Sequence, residues 1–244
     1  MPLHQLHPDY PELFPETRLA LRDPPGLLAV GGDLQPQRLL AAYRCGVFPW
    51  FGEDEPVLWW SPPVRCVLHA ERFHKARRFE RWLRGCSWRV GVDEDFAGVV
   101  AGCAAPRADH AGTWIGPQMR TAYQALHRAG FAHSIEVRDG DELIGGLYGV
   151  NLGGVFYAES MYSRRPQASK VALLALCRQW QDWGNQLIDV QMETAHLLSL
   201  GAHCLTRRAF EIELERALQL AAPALPWASH WHRSAAAELL RPDL

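Results

Sequence analysis

The chain reads as an α+β protein, with a small N-terminal domain over residues 1–65 and a larger domain over residues 66–244. Three observations point there. Prolines (Pro11, Pro15, Pro24, Pro25, Pro36, Pro49, Pro56, Pro62, Pro63) punctuate the first stretch and leave little room for long elements. Further on, three β-rich segments follow one another with turn dipeptides between them, the pattern of an antiparallel meander. Helical periodicity flanks that meander on both sides.

Taken in order, the first helix expected is Pro36 to Cys45, opened by a proline at its first turn. Helices follow over about Glu71 to Arg84, Asp93 to Ala104, and Pro117 to Ala129 with Gly130 as its stop. The strands are His133 to Val137, Glu142 to Val150 and Gly154 to Ser160, separated by Asp139-Gly140 and Gly153-Gly154. After them come a helix from Ala168 to Trp183 ending at Gly184, a short strand from Gln186 to Gln191, and a helix beginning at Ala195 to Leu200. The order is βββαβα.

A chain of 244 residues that is 48% hydrophobic can bury a sizeable core. No run of eighteen apolar residues is present, and the start is not basic and then apolar, so membrane spanning and secretion are not expected. The six cysteines (Cys45, Cys66, Cys86, Cys103, Cys177, Cys204) form no C-x-x-C pair, which argues against a zinc ribbon or a disulfide framework and for a reducing cytoplasm. Net charge is −2, yet between Glu71 and Arg89 seven basic residues (Arg72, Lys75, Arg77, Arg78, Arg81, Arg84, Arg89) face two acids, Glu71 and Glu80. A polyanion can dock on such a stretch. On the helix expected there, Ala76, Phe79, Trp82 and Leu83 share one side, and Arg77, Arg81 and Arg84 share the other, adjoined by His74 and Arg78.

Ten segments, in order, carry a resemblance. They are GLLAVGGDL (26–34), AYRCGVFPWF (42–51), LWWSP (58–62), GTWI (112–115), AHSIEV (132–137), GGLYGV (145–150), ESMYS (159–163), ASKVAL (168–173), IDVQ (188–191) and SLGA (199–202). Together they resemble the leucyl/phenylalanyl-tRNA-protein transferase family. Two departures, Gln167 for the family's usual Asn and Val190 for its Cys, lie beside the positions expected to do chemistry. The resemblance implies a C-terminal domain of the GNAT acetyltransferase fold joined to a smaller N-terminal one. It implies a monomeric aminoacyltransferase without cofactor that moves Leu, and also Phe or Met, from aminoacyl-tRNA to the α-amino group of proteins beginning with Arg or Lys. That transfer marks them for degradation by the N-end rule. The same fold raises an acetyl-CoA-dependent reading, but such enzymes hold pyrophosphate on a glycine-rich loop, and Met161 to Lys170 contains no glycine.

An aminoacyl ester is already activated, so positioning, proton removal and oxyanion stabilisation suffice. Asp189 and Gln191 lie two apart on the expected strand and so share a face. The resemblance makes them the catalytic pair, with Gln191 accepting a hydrogen bond from the attacking amine and Asp189 orienting or polarising it. An amide is too weak a base to take the proton outright. Glu159, read as ending the third strand on a sheet edge, is the third catalytic candidate. It would bind the cationic N-terminal residue or its ammonium, the plain alternative being an ion pair with Arg164 or Arg165.

Leu173, Leu176, Cys177 and Trp180 recur at helical spacing, a stripe usually belonging to a core. The resemblance assigns Met161, Leu173, Leu176, Trp180 and Ile188 to the aminoacyl pocket. It places Trp50 and Trp114 around the terminal adenosine with Tyr43 and Tyr123 nearby, where base stacking is worth about 1–3 kcal/mol. Trp59 and Trp60 are left to the domain joint. Arg77, Arg78, Arg81 and Arg84 would meet acceptor-stem phosphates. His196, His203 and Cys204 match no metal motif, and no G-x-S-x-G or Walker sequence occurs. A binding module for RNA, without chemistry, would use the ridge and the tryptophans and leave Asp189 and Gln191 idle.

Overall fold

The computed structural model describes residues 3–106 and 113–240; Gly112 of the GTWI segment lies outside them. A four-stranded sheet opens the chain. Its strands are β1 (His4–Gln5), β2 (Leu27–Val30), β3 (Phe48–Pro49) and β4 (Leu58–Trp60), in the order β1-β2-β4-β3, with α1 (Pro36–Arg44) between β2 and β3. The strands are short because the prolines and turns between them interrupt every ladder.

A seven-stranded sheet follows. It contains β5 (Val64–His69), β6 (Arg89–Val92), β7 (Ala132–Asp139), β8 (Glu142–Leu152), β9 (Val155–Ser163), β10 (Leu187–Gln191) and β11 (His203–Thr206), ordered β11-β5-β10-β9-β8-β7-β6. Its helices are α2 (Arg77–Arg84), α3 (Phe96–Ala104), α4 (Pro117–Arg128), α5 (Ala168–Asp182), α6 (Ala195–Ser199) and α7 (Arg207–Leu218). Hairpin turns close at Gly140 and Gly153, both at positive φ, where glycine alone carries no Cβ penalty. None of the described helices is long and apolar enough to cross a membrane.

The expected βββαβα order is present as β7-β8-β9-α5-β10-α6, with β10 parallel to β9 across the α5 crossover. The α+β class holds. The helix expected from Glu71 begins only at Arg77, because Ala70–Arg72 form a 3-10 turn and the His74 N–H donates to the Leu200 carbonyl instead of a helical partner. Likewise α3 starts at Phe96, where the Asp95 side chain accepts from Gly98 N at 2.8 Å and caps it. The strands β5, β6 and β11 and the helix α7 extend the expected set.

Each face of the large sheet is covered. Side chains alternate along the strands, so Leu147, Phe156 and Ile188 pack under α5, whereas Tyr148, Val150 and Tyr157 point the other way. That second core also takes in Leu28, Tyr43 and Trp59 of the N-terminal segment and Phe210 of α7, so both sheets share one apolar interior.

One irregularity sets up the cleft described below. The β8–β9 register shifts between Tyr148↔Ser160 and Gly149↔Ala158, leaving Glu159 as the extra, bulged residue. A Cβ on Gly149 would stand 2.1 Å from the Tyr157 carbonyl oxygen and 2.5 Å from the Phe156 ring. Gly149→Ala should therefore lower stability by about 2–4 kcal/mol, read as a drop in urea midpoint at unchanged m-value. A neutral result would show that the bulge can relax around the methyl group.

Candidate active site

The parallel ladder of β9 and β10 covers Val155↔Leu187, Phe156↔Ile188 and Tyr157↔Asp189, and then stops. Beyond it the two strands diverge: β9 continues beside β8 to Ser163, and Gln191 pairs with Cys66 of β5 across a register shift. A cleft of about 1810 Å³ opens at this point, lined by both strands, by α5 and by the N-terminal segment around Trp50.

Glu159 lines it, held from behind by two fully buried phenols. Tyr43 Oη donates to Oε1 at 2.8 Å and Tyr123 Oη to Oε2 at 2.6 Å, with the two phenols 2.9 Å apart. Burial pushes the Glu159 carboxyl up to about 7, and the two phenolic hydrogen bonds recover only part of that shift. Burial raises both tyrosines well above the ordinary phenol, with Glu159's own charge next in order. Glu159 is not at the end of an edge strand, as its sequence position suggested: β9 runs to Ser163 inside the sheet, and the bulge turns this residue into the cleft. Nor, among the described residues, does it pair with an arginine. Arg165 is engaged by Asp139 and Glu142, and Arg164 donates to the Leu143 carbonyl.

Asp189 and Gln191 do not share a face in the way their spacing suggests. The β10–β5 register shifts between them and Gln191 adopts φ +54, so alternation breaks at Val190. Asp189 is fully buried and does not line the cleft. Its Oδ1 accepts from Arg65 Nε at 2.9 Å and from the Gln191 N–H at 2.9 Å, and its Oδ2 accepts from Arg65 Nη2 at 2.6 Å. Gln191 does line the cleft. Its Nε2 donates to the Asp189 carbonyl at 3.1 Å, and because that carbonyl can only accept, the amide is oriented with its Oε1 turned away from it.

Leu147, Met161, Leu173 and Val190 are among the apolar residues that line the cleft. Leu176, Trp180 and Ile188, expected beside them, are fully buried in the core beneath; Trp180 spends its Nε1–H on the Leu187 carbonyl at 3.2 Å. Trp50, 48% exposed, and Trp114, half-buried, stand on the rim. The Trp50 ring is braced edge-on by Trp60 at 5.6 Å, and Trp60 Nε1 donates to the Trp50 carbonyl at 2.6 Å, so Trp60 belongs to the cleft wall. Tyr43 and Tyr123, expected near a stacked base, lie below the surface and serve Glu159 instead. On α2, Phe79 and Leu83 are buried and Arg77, Arg78, Arg81 and Arg84 are all exposed.

Arg65 escaped the sequence reading. The available signal was a lone guanidinium in the β-forming run Val64 to Leu68, a position that calls for a buried partner. Among the described residues, no group of three or more His, Cys, Asp or Glu side chains is placed to hold a metal ion.

An apolar recess, flat aromatic rims, one carboxyl close to neutrality and an oriented carboxamide in the same cleft make up the site of a group-transfer enzyme. Comparison specifies which group. The family model described as leucyl/phenylalanyl-tRNA protein transferase matches residues 67–215, and that of the family's N-terminal domain matches residues 32–63. Proteins named leucyl/phenylalanyl-tRNA–protein transferase from Xanthomonas campestris pv. campestris and Xanthomonas axonopodis pv. citri are 48% and 50% identical over 229 residues, 93% of this chain and 92% and 91% of theirs. One from Alkalilimnicola ehrlichii is 50% identical over 215 residues, 88% of this chain and 83% of its own. This chain belongs to the leucyl/phenylalanyl-tRNA protein transferase family. A solved structure, that of L-PGS from Bacillus licheniformis, aligns at TM-score 0.38 and 10% identity over 68% of this chain and 53% of that one, too low to bear on the fold.

The Glu159 carboxyl has a stability signature. Its folded value, about 7, lies above the ordinary 4.5, so the folded protein holds this proton more tightly than the unfolded chain does. The resulting stabilisation is complete below about 4.5 and is lost as the pH rises through 7. Glu159→Gln should gain on the order of 2 kcal/mol relative to the native protein at pH 8 and nothing at pH 4. Denaturation midpoints at the two pH values check it, and a pH-independent difference would contradict it.

Proposed function

We propose that this protein transfers a leucyl or phenylalanyl group, and a methionyl group as well, from its tRNA to the α-amino group of proteins beginning with Arg or Lys. One observation carries the reading: the Glu159 carboxyl and the Gln191 amide line the same cleft where β9 and β10 part, beside an apolar recess and two rim tryptophans. The recess of Leu147, Met161, Leu173 and Val190 takes the unbranched or aromatic side chain of the donor, and Met161 adapts to either shape. Trp50 and Trp114 offer flat faces for the terminal adenine.

The chemistry follows from the two polar groups. The acceptor arrives as an ammonium that titrates near ~8, and a carboxylate near 7 takes its proton at small cost. The freed lone pair attacks the ester carbonyl carbon, with Gln191 Oε1 accepting from one of the two remaining N–H groups and aligning the amine. As the tetrahedral adduct collapses, the C–O bond to the ribose breaks and the leaving ribose oxygen takes the second proton that the attacking nitrogen gives up, completing the peptide bond, while the first proton stays on Glu159 until it returns to solvent. Buried Tyr43 and Tyr123 fix the orientation of the Glu159 carboxyl, one on each oxygen. We read the division near residue 65 as a domain boundary, and the larger sheet as the GNAT acetyltransferase type, on the support of the β9–α5–β10 crossover whose parallel strands part at the site. The acetyl-CoA alternative is disfavoured by the segment entering α5, where Gln167 precedes the helix and no glycine offers bare N–H groups to a pyrophosphate.

Labelled Leu-tRNA incubated with a peptide beginning with Arg should transfer its label to the peptide, and acetyl-CoA should leave the peptide unmodified. Label that stays on the tRNA would reduce the protein to an RNA-binding module, and acetylation without label transfer would make it an acetyltransferase.

The exposed arginines of α2 are read as the phosphate dock, acting through counterion release. Charge reversal at Arg77, Arg81 and Arg84 should weaken tRNA binding at least about tenfold near 0.1 M salt and flatten the log Kd against log salt slope by about one per arginine. A slope identical to the native one would remove the ridge from the interface.

A further inference from the structure

We propose that Arg65 is a positioning residue for the transfer reaction, holding the Gln191 carboxamide in the cleft through the Asp189 carboxylate. The inference rests on the reading that Gln191 faces the acceptor amine. Arg65 sits on β5, and its guanidinium is closed in on every side. Nε and Nη2 grip the two Asp189 oxygens at 2.9 and 2.6 Å, and Nη1 donates to the Gly46 carbonyl at 3.1 Å. Phe48 and Phe210 each bring a ring to 4.6 Å from Cζ. Arg65 side-chain exposure is 2% and that of Asp189 is 0%.

The pair is more than filling. Apolar residues of similar volume commonly serve stability as well as a buried ion pair or better, so a dry guanidinium–carboxylate contact points to a geometric role. Here that role is legible. Asp189 Oδ1 accepts from the Gln191 N–H, and the Asp189 carbonyl accepts from the Gln191 side chain, so the left-handed turn at Gln191 is held from both its backbone and its amide. Both Asp189 oxygens are spent in this way, and neither reaches the cleft. Asp189 thus acts through Gln191 and touches no substrate. The grip also reaches Gly46, which ties the position of the carboxamide to the loop between α1 and β3.

Three variants, each with its melting temperature measured, test this by the split between kcat and KM for Leu-tRNA and an Arg-initiated peptide. Arg65→Met strands the Asp189 charge and should cut kcat at least about 30-fold while KM for Leu-tRNA stays within about twofold. Combining Arg65→Met with Asp189→Asn leaves no lone charge and keeps an Oδ1 acceptor for the Gln191 N–H, so kcat should return to within about fivefold of native. A double variant that melts like the native protein yet stays as slow as the single one would show that the carboxylate charge itself acts in the chemistry, overturning the proposal. Native kcat in Arg65→Met would overturn it as well. If the single variant does not fold, the double variant alone decides. Gln191→Ala separates the two levels: a native kcat there removes the assignment of Gln191 to the acceptor amine, whatever Arg65 does.

Discussion

A guanidinium flanked by two phenyl rings and the buried carboxylate it grips form the constraint on which the rest of this site depends. Removing such charges from water costs several kcal/mol each, recovered only if every donor and acceptor finds a partner. Each guanidinium nitrogen of Arg65 has a partner, Nε and Nη2 on Asp189 and Nη1 on the Gly46 carbonyl, and Asp189 accepts from Gln191 as well. The geometry of the pair is therefore narrow. Everything attached to it inherits that narrowness: the bulge in β10, the left-handed Gln191, and the point where β10 leaves β9.

The two sides of the cleft handle charge differently. On the β10 side an ion pair is sealed away and only a neutral amide meets the cleft. On the β9 side the Glu159 carboxyl has no cation paired to it among the described residues and is moved toward neutrality by burial, tempered by two phenols. A group poised there can exchange a proton with an amine near neutral pH. The N-terminal segment takes part in both sides. Tyr43 from α1 holds Glu159, and Gly46 and Phe48 hold Arg65, so the small sheet is a component of the site and not an appendage.

Regular elements were legible where the pattern repeats over a long stretch, as in α4, α5 and the β7–β9 meander. Short edge elements were not. In β5 the pattern is broken by Arg65 and preceded by Pro62-Pro63; β6 has four residues, one of them glycine; β11 opens on a histidine. The site was legible in part for a similar reason. Glu159, Gln191, Trp50, Trp114, Met161 and Leu173 do line one cleft, whereas Leu176, Trp180 and Ile188, drawn from the same apolar stripe and strand, face the core. Periodicity assigns a residue to a face but does not say whether that face meets a cavity or another side chain.

The sequence by itself determined the α+β class, the meander and its crossover helix, the basic face of α2 and the family, because these reside in windows of a few to a few dozen residues or in motif order. Only the tertiary structure decided that Asp189 is sealed by Arg65, 124 residues away, and that Glu159 is held by Tyr43, 116 residues away. Such contacts arise from two register shifts and the packing of one sheet on another. Each moves a side chain between solvent, cleft and core without changing any local pattern of polar and apolar residues.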